Sequence, residues 1–274
     1  MLQPKLGASL HTIEKNLTPE ALAAVEGSRI ATVEIHPILF AADAEGSMRA
    51  ALKEMLARTG IRPMTIHAPF GGAYDLSSLD ERTRQAGLEV VLEAVDLAVE
   101  FNAPMVVVHP SAEPIPAEER EERLTRSRQS LARVGERCAE TGRQVALELL
   151  PRTCLGNTIE ELFALLESLP EEQFGVCLDV NHLMDRFAEL PEAVRRLGSR
   201  LITTHLSDYD GVDEKHWLPG QGVIDWGALL EAFDATGYTG PLNFECRLEA
   251  PTPAERVRSL EESFDWMVAR WRER

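Results

Sequence analysis

Eight short apolar runs in this chain close on a histidine or a carboxylate. They span 6–11, 32–36, 64–67, 105–109, 145–148, 176–179, 201–205 and 242–245, ending in His11, His36, His67, His109, Glu148, Asp179, His205 and Glu245, with Glu34 beside His36. The other two histidines, His182 and His216, follow the sixth and seventh runs, so all seven stand at or beyond such an end. Parallel strands buried on both faces are written as near-continuous apolar runs. An ionisable group closing such a run adds nothing to packing, so its position has another cause.

Eight such ends describe a ring. In a closed (β/α)8 barrel, the TIM barrel, the active site is assembled from the strand C-termini and the loops after them, which turns the pattern directly into a site. Amphipathic helices are expected between the runs, over 45–59, 80–101, 116–141, 158–169, 191–197, 226–236 and 253–271. Glycines follow several of them, at Gly60, Gly142, Gly198 and Gly237, and Asp225 reads as an N-cap. The competing architecture is an open doubly wound sheet. It calls for a glycine-rich phosphate loop after the first strand, where this chain has Ser9-Leu10-His11. With 274 residues and no linker-like stretch, residues 1–274 are read as one TIM-barrel domain.

The formal charge of −17, with only four lysines (Lys5, Lys15, Lys53, Lys215), speaks against a nucleic-acid partner, since such binders draw most of their affinity from phosphate neutralisation. No apolar run approaches the roughly 20 residues that span a bilayer, and Met1-Leu2-Gln3-Pro4-Lys5 leads straight into the first strand; a cytoplasmic protein is expected. Cys138, Cys154, Cys177 and Cys246 form no close pair, which suits free thiols in a reducing compartment. A homo-oligomer is compatible with all of this.

Side chains alternate along a strand, so residues two apart share a face. Glu148, Asp179, His205 and Glu245 can therefore all point into the barrel mouth, above Ala146, Cys177, Thr203 and Asn243. Three carboxylates and one imidazole from four consecutive strands make a divalent-metal site: the oxygen-rich set suits Mn²⁺, Mg²⁺ or Co²⁺, and Zn²⁺ also accepts it. His182, three residues after Asp179, is a ligand or a substrate contact. His67 and His109 end adjacent strands across the mouth and offer a further site with Glu148 as a bridge. His11, His36 and Glu34 line the mouth, as substrate contacts or as structural hydrogen-bonding groups. Arg247, of the same parity as Glu245, is a candidate for a substrate oxygen or phosphate, or for an ion pair with Glu249.

These motifs resemble the xylose-isomerase-like barrel superfamily, which holds sugar-phosphate isomerases and epimerases, ketose 3-epimerases and metal-dependent apurinic endonucleases. The markers are H-A-P at 67–69, V-V-V-H-P at 106–110, A-L-E at 146–148, L-D-V-N-H at 178–182, T-H-L-S-D at 204–208, P-G-Q-G-V-I-D-W at 219–226 and N-F-E at 243–245. The resemblance implies that Glu148, Asp179, His205 and Glu245 hold one cation, Mn²⁺ or Zn²⁺ before Mg²⁺ or Co²⁺, and that His182 touches substrate. It implies Glu148 and Glu245 as the acid/base pair. In the endonuclease members, the positions matching His67, His109, His182 and His216 bind further zinc. There this chain departs, reading Glu214-Lys215-His216 where those members carry Asp-x-His.

Two functions follow. The first is a metal-dependent isomerase or epimerase of a small sugar, keto-polyol or sugar phosphate, a related dehydratase or lyase using the same parts. The second is a zinc-dependent phosphodiesterase of the apurinic endonuclease kind, favoured by His67 and His109 and opposed by the charge.

Overall fold

The computed structural model describes residues 2–274. The eight runs form parallel strands β1 (Leu6–Ser9), β2 (Thr32–Ile35), β3 (Arg62–His67), β4 (Met105–Val108), β5 (Gln144–Glu148), β6 (Phe174–Asp179), β7 (Leu201–Leu206) and β8 (Leu242–Phe244). Each pairs with the next, and β8 returns to β1 to close the barrel. The fold is a (β/α)8 TIM barrel.

The helices are α1 (Leu10–Ile13), α2 (Pro19–Glu26), α3 (Ser47–Thr59), α4 (Glu81–Phe101), α5 (Arg120–Thr141), α6 (Ile159–Leu166), α7 (Leu190–Leu197), α8 (Trp226–Thr236) and α9 (Pro253–Arg272). Two differ in kind from expectation. The chain leaves β1 at Ser9 and coils at once into α1, so His11 sits on a helical turn rather than on the strand. The unforeseen α2 starts with Thr18 accepting from the Ala21 N–H and Pro19 at its first position, a strong start on a helix too short to show much periodicity.

Apolar residues divide between two places. The large core lies between sheet and helices, where Val106, Leu147, Val176 and Leu178 meet Leu131, Val134, Leu162 and Leu165. Inside the barrel, Val107, Ala146 and Cys177 form a separate small cluster with Ile202 packed on it. The β6–β7 register shifts at Val176/Cys177, and Gly175 leaves the room that Ile202 fills: a Cβ there would lie 2.6 Å from Ile202 Cδ1.

The long β7–α8 connection is organised by Asp208, a fully buried carboxylate. Its Oδ1 accepts from the Tyr209 and Ile224 amides (both 3.1 Å), its Oδ2 from the Gly220 amide (2.8 Å) and Trp226 Nε1 (3.0 Å). Gly222 passes so close that a Cβ would stand 2.1 Å from the Tyr209 carbonyl oxygen. The Pro219–Gly222 turn thus wraps a carboxylate, and Asp225 caps α8 by accepting from the Ala228 amide at 3.0 Å. Four short bonds to one ion account for an ordered loop that carries Glu214 and His216.

Two outcomes follow for stability. Gly175→Ala should lower the unfolding free energy by about 1–3 kcal/mol through overpacking against Ile202. Ile202→Ala in the same chain should return part of that loss, read from denaturant midpoints. Asp208→Ala, which strips an acceptor from three buried donors and the Gly220 amide, should cost about 3 kcal/mol and speed hydrogen exchange at the Gly220 and Ile224 amides. Unchanged exchange there would refute the organising role of Asp208.

Candidate active site

The strand C-termini open into a cavity of about 710 Å³ lined by, among others, His11, His67, His109, Glu148, Asp179 and Arg247. At its base, Glu148, Asp179, His205 and Glu245 bring one ligand atom each within 4.8 Å of one another. His205 Nδ1 lies 2.8 Å from Glu245 Oε2 and 3.2 Å from Glu148 Oε1. Glu148, Asp179 and His205 are buried, while Glu245 keeps 19% of its side chain exposed and so faces the cavity.

Several acceptors here are left over. Asp179 Oδ1 takes the Asn181 amide at 2.8 Å, but buried Oδ2 accepts no hydrogen bond. Glu148 Oε2 is likewise buried without a hydrogen-bond partner, although His109 Nε2 stands 2.9 Å away and His67 Nε2 3.3 Å. Orphan carboxylate oxygens facing imidazole nitrogens are the donor set a divalent cation requires, so the residues present fit such an ion.

The protonation pattern agrees. Burial pushes the Glu148 carboxyl up, but the His109 and His205 imidazoles overcome it and hold it well below the usual range. Burial likewise opposes ionisation of Glu245, and His205 brings its pKa down to about 2. Asp179 moves the other way, raised by burial despite His182. For His205, burial favours the neutral ring, yet Cys177, Glu245, Glu34 and Glu148 around it lift its pKa well above the ordinary value. His67 reaches about 9, burial being outweighed by Glu148. Burial lowers His11, His36 and His109. The imidazoles shifted upward, His67, His182 and His205, are each set against carboxylates.

Tautomers can be assigned where a ring nitrogen meets a carbonyl, which only accepts. His182 Nδ1 lies 2.8 Å from the Leu149 oxygen and so carries a proton, which turns its Nε2 toward Asp179 Oδ2 (3.5 Å) and Glu214 Oε2 (3.6 Å). His67 Nδ1 donates to the Ala68 oxygen at 2.9 Å, which turns its Nε2 toward Glu148. Among the further groups with ligand spacing are His67–His109–Glu148 and Asp179–His182–His216.

The remaining residues singled out by sequence are scattered in depth. His11, partly buried on α1, stacks on His36 at 4.9 Å, and His36 stacks on His67 at 4.5 Å. Glu34 is absent from the cavity surface: it is 0% exposed, with Oε2 3.0 Å from His205 Nε2. Arg247 is exposed on the cavity wall. Its amide donates to the His216 oxygen at 2.7 Å, and its guanidinium forms no ion pair with Glu249 among the described residues.

Three residues escaped the sequence reading. Phe70 stacks on His109 at 4.1 Å between ring centroids, walling one side of the mouth. Arg152 binds Glu214 Oε1 (2.8 Å), Asp213 (3.0 Å) and Glu113 (3.2 Å), tying together the loops after β4, β5 and β7. Asn181 donates to Ser207 Oγ (3.1 Å) and the Asp208 oxygen (2.7 Å), bracing the His182 turn on β7. Only Asn181 had a local signal, its place inside L-D-V-N-H.

Comparison with known proteins agrees with this architecture. An uncharacterized protein of Sinorhizobium fredii is 33% identical over 184 residues, covering 66% of this chain and 57% of that protein. A ketose 3-epimerase of Arthrobacter globiformis is 28% identical over 177 residues, covering 63% of this chain and 60% of the enzyme. The matched stretches thus span about 60% of the length of these relatives. Among solved structures, a D-tagatose 3-epimerase-like protein superposes with a TM-score of 0.84 at 24% identity, over 98% of each chain. The family model described as "Xylose isomerase-like TIM barrel" matches residues 22–270, and the chain belongs to that family.

Proposed function

We propose that this protein is a divalent-metal-dependent isomerase or epimerase of a small sugar, keto-polyol or sugar phosphate. The observation that carries the reading is the convergence of Glu148, Asp179, His205 and Glu245 at the base of an open cavity, with Glu148 ending β5 and Glu245 directly following β8, at opposite ends of the four-strand set. The sugar-epimerase relatives support the same substrate class. A cation held by these four residues would polarise a substrate carbonyl and offset the negative charge of an enediolate.

The chain's own residues divide the rest. Glu148 and Glu245 act as the acid/base pair, one removing the proton from the carbon beside the carbonyl and the other returning one from the opposite face. His182, with its Nε2 directed at the site, orients substrate hydroxyls. Arg247, with no ion pair among the described residues, and the partly buried His11 serve the outer part of the substrate, and Phe70 with His109 excludes water from that side. A sugar-acid dehydratase or lyase would use the same parts. An apurinic-endonuclease-type reading draws on the convergence of Asp179, His182 and His216, with Glu214 beside them. The charge of −17 repels a polyanionic substrate and counts against it. No helix of the described residues is long and apolar enough to cross a membrane.

Protein purified without chelator should carry at least one equivalent of divalent metal per chain by elemental analysis. Asp179→Asn keeps an acceptor for the Asn181 amide and should lose most of the metal with an unchanged circular dichroism spectrum; full occupancy in that variant would sink the assignment. The affinity should also depend on pH. Because His205 holds its proton above the ordinary value while Glu148 and Glu245 stay ionised, entry of a cation displaces a proton. Apparent affinity should therefore rise with pH across neutrality, and calorimetry in buffers of different ionisation enthalpy should detect the released proton.

Wild-type protein incubated with its ketose in D₂O should place deuterium on the carbon next to the carbonyl. A Glu148→Gln or Glu245→Gln variant that still holds metal should wash out one substrate proton without completing the inversion. Normal turnover in such a metal-loaded variant would move the proton transfer to another group, His182 first.

A further inference from the structure

Glu34 is the residue whose position the proposed reaction leaves unexplained. It sits on β2, level in the ladder with Ser9 of β1 and Thr65 of β3, one interior layer below His67. It has no exposed surface, so it cannot meet a sugar. A buried carboxylate is expensive, and an apolar side chain of similar size would suit a barrel interior better if packing were all that mattered.

What Glu34 does touch is specific. Its Oε2 accepts from Thr65 Oγ1 at 2.8 Å and lies 3.0 Å from His205 Nε2. The remaining oxygen, Oε1, faces His36 Nε2 at 3.4 Å and accepts no hydrogen bond. On its other edge His205 presents Nδ1 to Glu245 Oε2 and Glu148 Oε1. Nδ1 faces Glu148 and Glu245, two members of the ligand-spaced group, whereas Nε2 faces Glu34, which lies outside it. A cation held by that group would take the Nδ1 lone pair, and Nε2 would keep its proton for Glu34, since an ionised carboxylate only accepts.

We propose that Glu34 is a positioning residue that fixes His205 as the Nε2–H tautomer, aims Nδ1 at the cation, and increases its donor strength. The Thr65 hydroxyl holds the accepting oxygen in place from the side opposite His205. Carboxylate, imidazole and metal in line is a general means of setting ligand orientation and basicity. The inference rests on the cation reading above, and it assigns Glu34 no contact with substrate.

The test needs only metal. Co²⁺ affinity is measured by competition with a chromophoric chelator for wild type, Glu34→Gln and Thr65→Val, and the visible spectrum of each Co²⁺ form is recorded. Zinc-loaded wild type is examined by ¹⁵N NMR for the proton on His205 Nε2. Glu34→Gln should bind Co²⁺ about 10- to 100-fold more weakly, with a shifted visible spectrum that mere loosening of the barrel would not produce. Thr65→Val, which keeps the carboxylate and removes only its support, should show a smaller loss. It serves as the deciding variant if Glu34→Gln does not fold. Wild-type affinity in both variants, or a proton on Nδ1 with Nε2 toward the metal, would overturn the inference and leave the cation site standing. Failure of the wild type itself to bind Co²⁺ would overturn both.

Discussion

One imidazole, His205, is enclosed by three carboxylates, at 3.0 Å from Glu34, 3.2 Å from Glu148 and 2.8 Å from Glu245. Coulomb energy at such distances in a poorly polarisable interior is too large to leave uncompensated. Either protons remain on the imidazoles, which is the state the shifted pKa values describe, or a cation takes their place. The barrel supplies the rigidity that keeps these groups together, since each stands at the end of a strand paired on both edges. The polar ring rests on an apolar floor of Val107, Ala146, Cys177 and Ile202, which cannot relax to disperse the charge.

Much of this was legible in the chain. Strand composition marked every barrel strand, and the alternation of side chains picked out Glu148, Asp179, His205 and Glu245 as one inward set, because parity survives whatever the loops do. Depth was not legible. Glu34 and His36 share a face, but only the stagger between neighbouring strands puts Glu34 beside Thr65 and beneath His205, and stagger depends on pairings across distant parts of the chain. The shifted register that admits Ile202 into the barrel beside Gly175 was hidden for the same reason. Asp208 looks no different in sequence from Asp210, yet one organises a loop and the other lies near its surface, because the donors that choose between them arrive from residues 209 to 226.

The active-site histidines differ in who holds them. His182 and His67 are fixed by backbone carbonyls, His205 by a carboxylate, and His36 mainly by stacking between two other rings. A carbonyl sets orientation, whereas a carboxylate also adds charge, so under the proposed cation reading His205 would be the stronger donor and a first cation would favour its four-residue group over the other histidine groups.

Arg152 ties three loops through a single guanidinium. Each exposed pair contributes little alone, but the three share one side chain and so rise or fall together. A longer or shorter segment in any one of those connections would unfasten the other two, and that wall of the cavity is therefore inherited as a block. Across the mouth Arg256 fastens the segments carrying His11 and Arg247 in the same way, through the Ile13 and Ala250 oxygens, so room to accommodate different ligand sizes during divergence lies in the segment carrying Phe70.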